Sequence, residues 1–356
     1  MKRIIAIDHG NRMMKSITQV FPASYVESGG HLMSIGGDSL VLSGKTYILT
    51  DESLPVLNDK TADERYKILT YFAVGKEMTN DAELMRRFAP HMPLRIELLV
   101  GLPLQHYETY KAKFAQYFTR NKDVIRFELN SKAFAVQIVG CNVYPQAYAA
   151  AFTAYDKLVD SRTVNMVDLG GFTVDCLQMN RFKPNMKLCS SLYLGVNTLF
   201  QAINDQVRST GARDVAENII EEILLKDPVA LAEYSESRIQ TITAAATSHT
   251  NRMLAAIEQI GFDFAEDKTV FMGGGSILLK DYILQSDKVK KPIFIDDIHA
   301  NAKGYQLLYD MQNGNPTIQN SSNSPNNADN AANPANIVNT TDQANTTPPS
   351  KHSQGA

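Results

Sequence analysis

The chain has 356 residues, 44% of them hydrophobic and 21% charged, with a formal net charge of −3. That length exceeds one ordinary core and predicts two domains, while the near-neutral charge excludes a global basic field that would recruit nucleic acid. Cys141, Cys176 and Cys189 are odd in number and lack metal-ligand spacing, which fits a reducing cytoplasm better than a disulfide framework. No run approaches the ~18 apolar residues of a membrane span. The chain opens directly on a strand rather than a signal peptide, so a cytoplasmic protein with no membrane partner is expected.

In chain order, Arg3–Asp8 and Met13–Val20 read as a strand hairpin, followed by short β segments around His31–Leu42 and Thr46–Leu49. Ala62–Thr79 reads as a helix, and Arg95–Val100 as a buried strand. Gln105–Arg120 is an amphipathic helix whose Tyr107, Tyr110, Phe114, Tyr117 and Phe118 recur at helical spacing, as packing residues. Strands follow at Val124–Leu129 and Ala133–Val139, and Pro145 is placed to open a helix running to Leu158. The second half has a strand pair around Asp168, a strand near Lys187–Leu194 and a helix from Asn197. Helices follow at Asp214–Leu225 and Val229–Ile260. Strand Thr269–Phe271 runs into Gly273-Gly274-Gly275-Ser276 and a further helix, and a last helix spans Ile298–Met311. From Gly314 the only aliphatic residues larger than alanine are Ile318, Ile337 and Val338, so Gly314–Ala356 reads as a disordered tail.

Val164–Asp175 carries the most chemistry. An apolar strand ends on Asp168, Gly170 and Gly171 follow, then Thr173, and a second apolar run begins at Val174-Asp175. A carboxylate at a strand tip beside glycines and a hydroxyl suits a metal-bound phosphate, because backbone N–H groups can approach the oxygens while the carboxylate holds the cation. Ile4–Lys15 repeats the plan, with Asp8 at the strand end, Gly10 in the turn and Lys15 on the return as a compact cation for phosphate. Gly273–Ser276 is a third element, where a strand runs into glycines and a helix start offers free N–H groups to a nucleotide. It has neither dinucleotide-fold nor P-loop glycine spacing. Two α/β halves that each open with a strand–Asp–Gly–strand unit predict a duplicated fold with a cleft between.

In this order the three elements resemble the actin-like ATPase superfamily. Asp8–Lys15 matches its first phosphate loop, Asp168–Asp175 its second and Gly273–Ser276 its adenosine loop. Val143–Ala150 and Ala300–Tyr305 resemble its two inter-domain helix starts. The resemblance covers about Met1–Asn313 and is nearest to ParM/StbA-type plasmid-segregation actins. It implies an α/β fold of duplicated ribonuclease-H-like domains: 1–144 as domain I, 145–297 as domain II, 298–313 as a helix returning to domain I, and 314–356 as the tail.

It also implies binding of ATP, with GTP the alternative, and of Mg²⁺. Asp8 and Asp168 would hold the metal through water, Lys15 would contact phosphate, and Gln146 would orient the attacking water. Gly10, Asn11, Gly170, Gly171, Thr173, Gly273, Gly274, Gly275 and Ser276 would line the nucleotide. Asp175 is open between supporting the metal and a purely structural part. The first loop departs from the family at His9, Arg12 and Met13, so what Asn11 does along the nucleotide and what Arg12 does are both open, a phosphate contact being one option for Arg12. Gly195 is open between a close approach and a simple turn. The implied partners are further copies of the chain in a filament and a DNA-bound adaptor protein. A small-molecule kinase or a non-filamentous regulatory ATPase of the same superfamily is the alternative.

Overall fold

The computed structural model describes residues 2–28, 37–52, 54–55, 57, 59–89 and 91–314. The first part, 31–36, of the β segment expected around His31–Leu42 and nearly all of the 314–356 tail lie outside them. Met1–Gln306 forms one compact unit and Leu307–Ala356 another; of the second, the described residues carry the end of the last helix.

Among the described residues the strands form two sheets built to one plan. In the first, β1 (Lys2–His9), β2 (Met13–Ser16) and β3 (Val20–Pro22) make an antiparallel meander. β7 (Leu94–Leu102) then adds parallel to β1, and β9 (Lys132–Pro145) parallel to β7. The second sheet repeats this order, with β10 (Thr163–Leu169), β11 (Val174–Asn180) and β12 (Lys183–Leu192) as the meander and β13 (Lys268–Met272) and β14 (Pro292–Phe294) as the parallel strands. The duplication expected from the two Asp–Gly hairpins is therefore present. The first sheet is extended by four antiparallel strands, β4 (Tyr25–Ser28), β5 (Ser39–Leu42), β6 (Lys45–Leu49) and β8 (Ile125–Leu129).

Two helices, α1 (Arg65–Asn80) and α3 (Leu104–Thr119), cover the first sheet and bury Phe72, Val74, Phe114 and Phe118 in its core. Between them lies α2 (Ala82–Arg87), which the sequence reading did not anticipate; its start is fixed by Asp81, whose side chain accepts from the Leu84 N–H. The second core gathers residues of α6 (Val196–Ser209), α7 (Glu217–Leu224), α8 (Pro228–Glu233) and α9 (Glu236–Gln259). The long helix expected at Val229–Ile260 is two helices, because Ser235 leaves helical geometry and caps α9 through the Arg238 N–H.

The helix expected to open at Pro145 is the main correction. Pro145 is the last residue of β9, paired with Leu102 of β7, a strand end where no further ladder N–H is required. Ala147 follows at φ +57° and ψ −50°, and Tyr148 N–H donates back to the Gln146 carbonyl at 2.6 Å. This is a γ-turn of the rare, strained hand. Only then do α4 (Tyr148–Ala151), a 3₁₀ turn (Phe152–Ala154) and α5 (Tyr155–Leu158) follow. After β13 come α10 (Gly274–Leu278), α11 (Lys280–Gln285) and α12 (Ala300–Gln312). α12 crosses α4 so closely that a Cβ at Gly304 would overlap the Ala149 carbonyl.

Candidate active site

Asp8, Asp168, Gln146, Pro103 and Gly273 all stand at or just past the carboxyl ends of parallel strands, where open α/β sheets place their ligands. A cavity of about 290 Å³ opens there, lined from both sheets. It collects Asp8, Gly10, Asn11, Lys15, Gln146, Asp168, Gly170, Gly171, Thr173, Gly274 and Gly275 of the expected residues. Gly273 and Ser276 are not on its wall.

In the first hairpin Asp8 pairs directly with Lys15, so both side chains leave the same face. Met14 is fully buried, whereas its neighbour Met13 lines the cavity. His9 points away into the first core, with Phe114 and Phe118 rings at 5.6 and 5.5 Å and Thr70 Oγ1 2.8 Å from its Nε2. Burial holds its imidazole well below the usual histidine range, hence neutral. Asn11 accepts from the Tyr66 hydroxyl at 2.7 Å. Arg12 reaches across the cavity to Glu221 at 2.9 Å and Glu217 at 3.2 Å, with its guanidinium 5.1 Å from the Phe200 ring. Its charge is thus engaged by two carboxylates.

In the second hairpin Asp168 pairs with Asp175. The intervening turn closes through Gly170 N–H to Thr173 O at 2.9 Å, and α6 begins against it. Gly195, Val196 and Asn197 donate their N–H groups to the carbonyls of Phe172, Gly170 and Gly171 at 3.2, 3.1 and 2.8 Å. Gly195 therefore belongs to a close approach, and these first N–H groups of α6 are spent on the loop. Asp175 accepts from Ser191 Oγ and, at 3.2 Å, from Thr173 Oγ1. Burial raises its carboxyl, while these two hydroxyls and the distant Lys60 and His106 oppose the rise. Burial also lifts Asp168, to about 6; Lys15 opposes the shift, and Asp175 and Asp8 add to it.

The third element differs from expectation in strength. α10 has five residues, too short for an appreciable macrodipole, so Gly274 and Gly275 offer local N–H groups only. Gly273 sits at φ +83°, and a Cβ there would collide with Asp168 Oδ1, so glycine is required twice over. Ser276 is fully buried and donates to the Gly273 carbonyl at 2.8 Å, turned into the loop it stabilises.

One side chain joins the two hairpins. Asn301, on α12, donates from Nδ2 to Asp168 Oδ2 at 3.1 Å and to Asp8 Oδ2 at 3.3 Å, while its Oδ1 accepts from Ala147 N–H at 2.9 Å. Asp8 also accepts from Gln146 Nε2 and, at 3.4 Å, from the buried Tyr305 hydroxyl. Tyr305 stacks on Tyr144 at 5.9 Å. Sequence reasoning had Ala300–Tyr305 only as a helix start and missed Asn301 and Tyr305 as site residues. It also missed Lys60 and Glu221 on the cavity wall, which no motif marks.

Both halves of the chain, each with its Asp-tipped hairpin, fall within domains of known families. Residues 6–148 match the family of actin-like protein N-terminal domains, and residues 166–285 the C-terminal domain of the MreB-like archaeal actin homologues. The chain is an actin-like protein. Among solved structures, this actin-like chain superposes on an archaeal actin homologue, Ta0583, with a TM-score of 0.66 at 17% identity, covering 85% of this chain and 98% of that one. The same homologue in complex with ADP gives 0.62 at 19% identity, covering 85% and 97%. A ParM subunit from a 15-stranded filament of Clostridium botulinum gives 0.63 at 17% identity, again covering 85% and 97%. At such identities these likenesses establish the fold. No curated protein sequence matches. The actin-like ATPase family membership and α/β fold are thus as expected, and no helix among the described residues is long and apolar enough to cross a membrane.

Proposed function

We propose that this actin-like chain binds ATP with Mg²⁺, hydrolyses it and assembles into filaments. The observation that carries the reading is the Asn301 amide bonded to both Asp8 and Asp168, which sets two carboxylates at the tips of two glycine turns around one cavity. Among the described residues no trio of His, Cys, Asp or Glu is grouped to enclose an ion. Two carboxylates suit Mg²⁺, which takes one or two from protein and leaves its other positions to phosphate and water. Asp8 and Asp168 would hold it, and when bound it would neutralise charge on the phosphate oxygens.

The chain's own groups then have distinct work. Lys15, opposite Asp8, is the cation for phosphate. Gln146, its Nε2 given to Asp8, has Oε1 left to accept from an attacking water. The nucleoside end would lie toward Gly274, Gly275, Ile277 and Leu278. We assign residues 1–144 and 145–297 to the two domains, with 298–313 returning to the first.

An ADP complex and a ParM filament among the structural neighbours support nucleotide use and self-association. Plasmid segregation through a DNA-bound adaptor is the biological setting we favour. The kinase alternative needs a carboxylate base where β9 ends, and the side chain there is the neutral Gln146. Light scattering and sedimentation with Mg-ATP, with phosphate release followed in parallel, test the proposal. A chain that stays monomeric at tens of micromolar while phosphorylating a metabolite overturns it.

A further inference from the structure

Lys60 is the only buried lysine among the described residues, 8% exposed, and it lies on the wall of the main cavity. It comes from the segment leading into α1, outside all three phosphate-loop motifs. Its ammonium donates to the His9 carbonyl, and the face of Tyr66 lies 5.4 Å away. Among the described residues it forms no ion pair, although Asp8 and Asp175 act on it from farther off. An ammonium has three N–H donors, so two remain. A buried charge with one neutral acceptor is costly unless something anionic completes it.

The position says which part of a ligand that would be. A second cavity, about 200 Å³, shares Asn11, Lys60, Pro103 and Thr173 with the main one but touches none of Gly274, Gly275, Ile277 or Leu278. Lys60 therefore stands where the two cavities meet, at the end remote from those nucleoside-facing residues. Asp8, whose charge acts on Lys60, faces Lys15 across the first hairpin, and both line the same cavity as Lys60 and Thr173. We propose that Lys60 binds the terminal phosphate of the nucleotide and is the group by which the site tells a triphosphate from a diphosphate. This rests on the ATPase reading above. Lys15 then serves phosphates common to both nucleotides, and Lys60 the one that hydrolysis releases. Its burial fits the task, since a dry ammonium is a stronger anion ligand than a hydrated one.

The test uses the full chain and two variants, Lys60→Met and Lys60→Gln, which remove the charge while keeping most of the stem. Affinities for ADP and for a slowly hydrolysed ATP analogue are measured with Mg²⁺, and thermal unfolding checks that each variant folds. The expected result is a loss of roughly 10–100-fold for the ATP analogue, the worth of one charge-assisted hydrogen bond, with ADP affinity unchanged. A role confined to holding the His9 carbonyl would lower both affinities alike, and that outcome overturns the proposal. So does unchanged affinity for both nucleotides in either folded variant. If the unsubstituted chain bound neither nucleotide, the ATPase reading itself would fall and this proposal with it; binding of both with no selective loss overturns the Lys60 assignment alone.

Discussion

Asp168 costs the nucleotide-free chain stability, and replacing it should reveal how much. Burial, reinforced by Asp175 and Asp8, raises its carboxyl from 3.8 to about 6. The folded-state value therefore lies above the unfolded one. The cost is absent below 3.8, where both states are protonated, grows as pH rises, and is complete above 6. Two pKa units at 1.36 kcal/mol each give about 3 kcal/mol at pH 7.5, falling to about 1 kcal/mol at pH 4.5.

Asp168→Asn keeps the side-chain shape and an oxygen for Asn301 while removing the charge. It should stabilise the metal- and nucleotide-free protein by about 2 kcal/mol at pH 7.5, somewhat less than the full figure because the amide is itself polar and buried. The gain should shrink on acidification, and hydrolysis should be lost. Denaturant titration of both proteins at the two pH values, with slopes compared so that only midpoints differ, measures it. A variant less stable at pH 7.5, or a gain that grows toward acid, would refute the electrostatic account of this carboxylate.

Asn301→Ala should lower stability by about 2–4 kcal/mol, since it strands the Ala147 N–H and withdraws donors from two carboxylates; an unfolding midpoint within error of the parent would sink that estimate. Gly273→Ala should cost more than the roughly 1–2 kcal/mol of a left-handed residue, because its Cβ also meets Asp168, and should abolish ADP binding in a titration; retention of both properties would contradict the close approach. Gln146→Ala should slow phosphate release by about 10²-fold with nucleotide affinity intact, and loss of ATP binding instead would remove its water-positioning role.

The parts of the site that the sequence announces are those in which neighbours along the chain are neighbours in space. Asp8 and Lys15, or Asp168 and Asp175, face each other because a short turn sets the register of a hairpin, and period-two alternation then puts each pair on one face. The duplicated sheet order is legible for the same reason. Gln146 was singled out by its place in a motif, yet its local structure was misread. Proline tolerates the first turn of a helix and the last position of a strand equally, and what decides here is β7, whose Leu102 pairs with Pro145. The Val229–Ile260 periodicity likewise concealed a cap, because Ser235 is ambiguous until its hydroxyl finds the Arg238 N–H.

Asn301, Tyr305 and Lys60 were not legible, and they share a cause. Each acts on a hairpin roughly 50 or more residues away in sequence, through a helix or loop whose placement follows from packing alone. Asn301 is the clearest case. Its amide gives one donor group to two carboxylates from different sheets and one acceptor to Ala147, a residue held at φ +57°. A non-glycine residue in that conformation costs on the order of 1–3 kcal/mol and persists only where its surroundings impose it. Here the imposing groups are the Pro145 strand end on one side and Asn301 on the other. The bend that aims Gln146 at Asp8 is therefore fixed by the same amide that spaces Asp8 from Asp168, so the position of the amide side chain and the separation of the two carboxylates are set together.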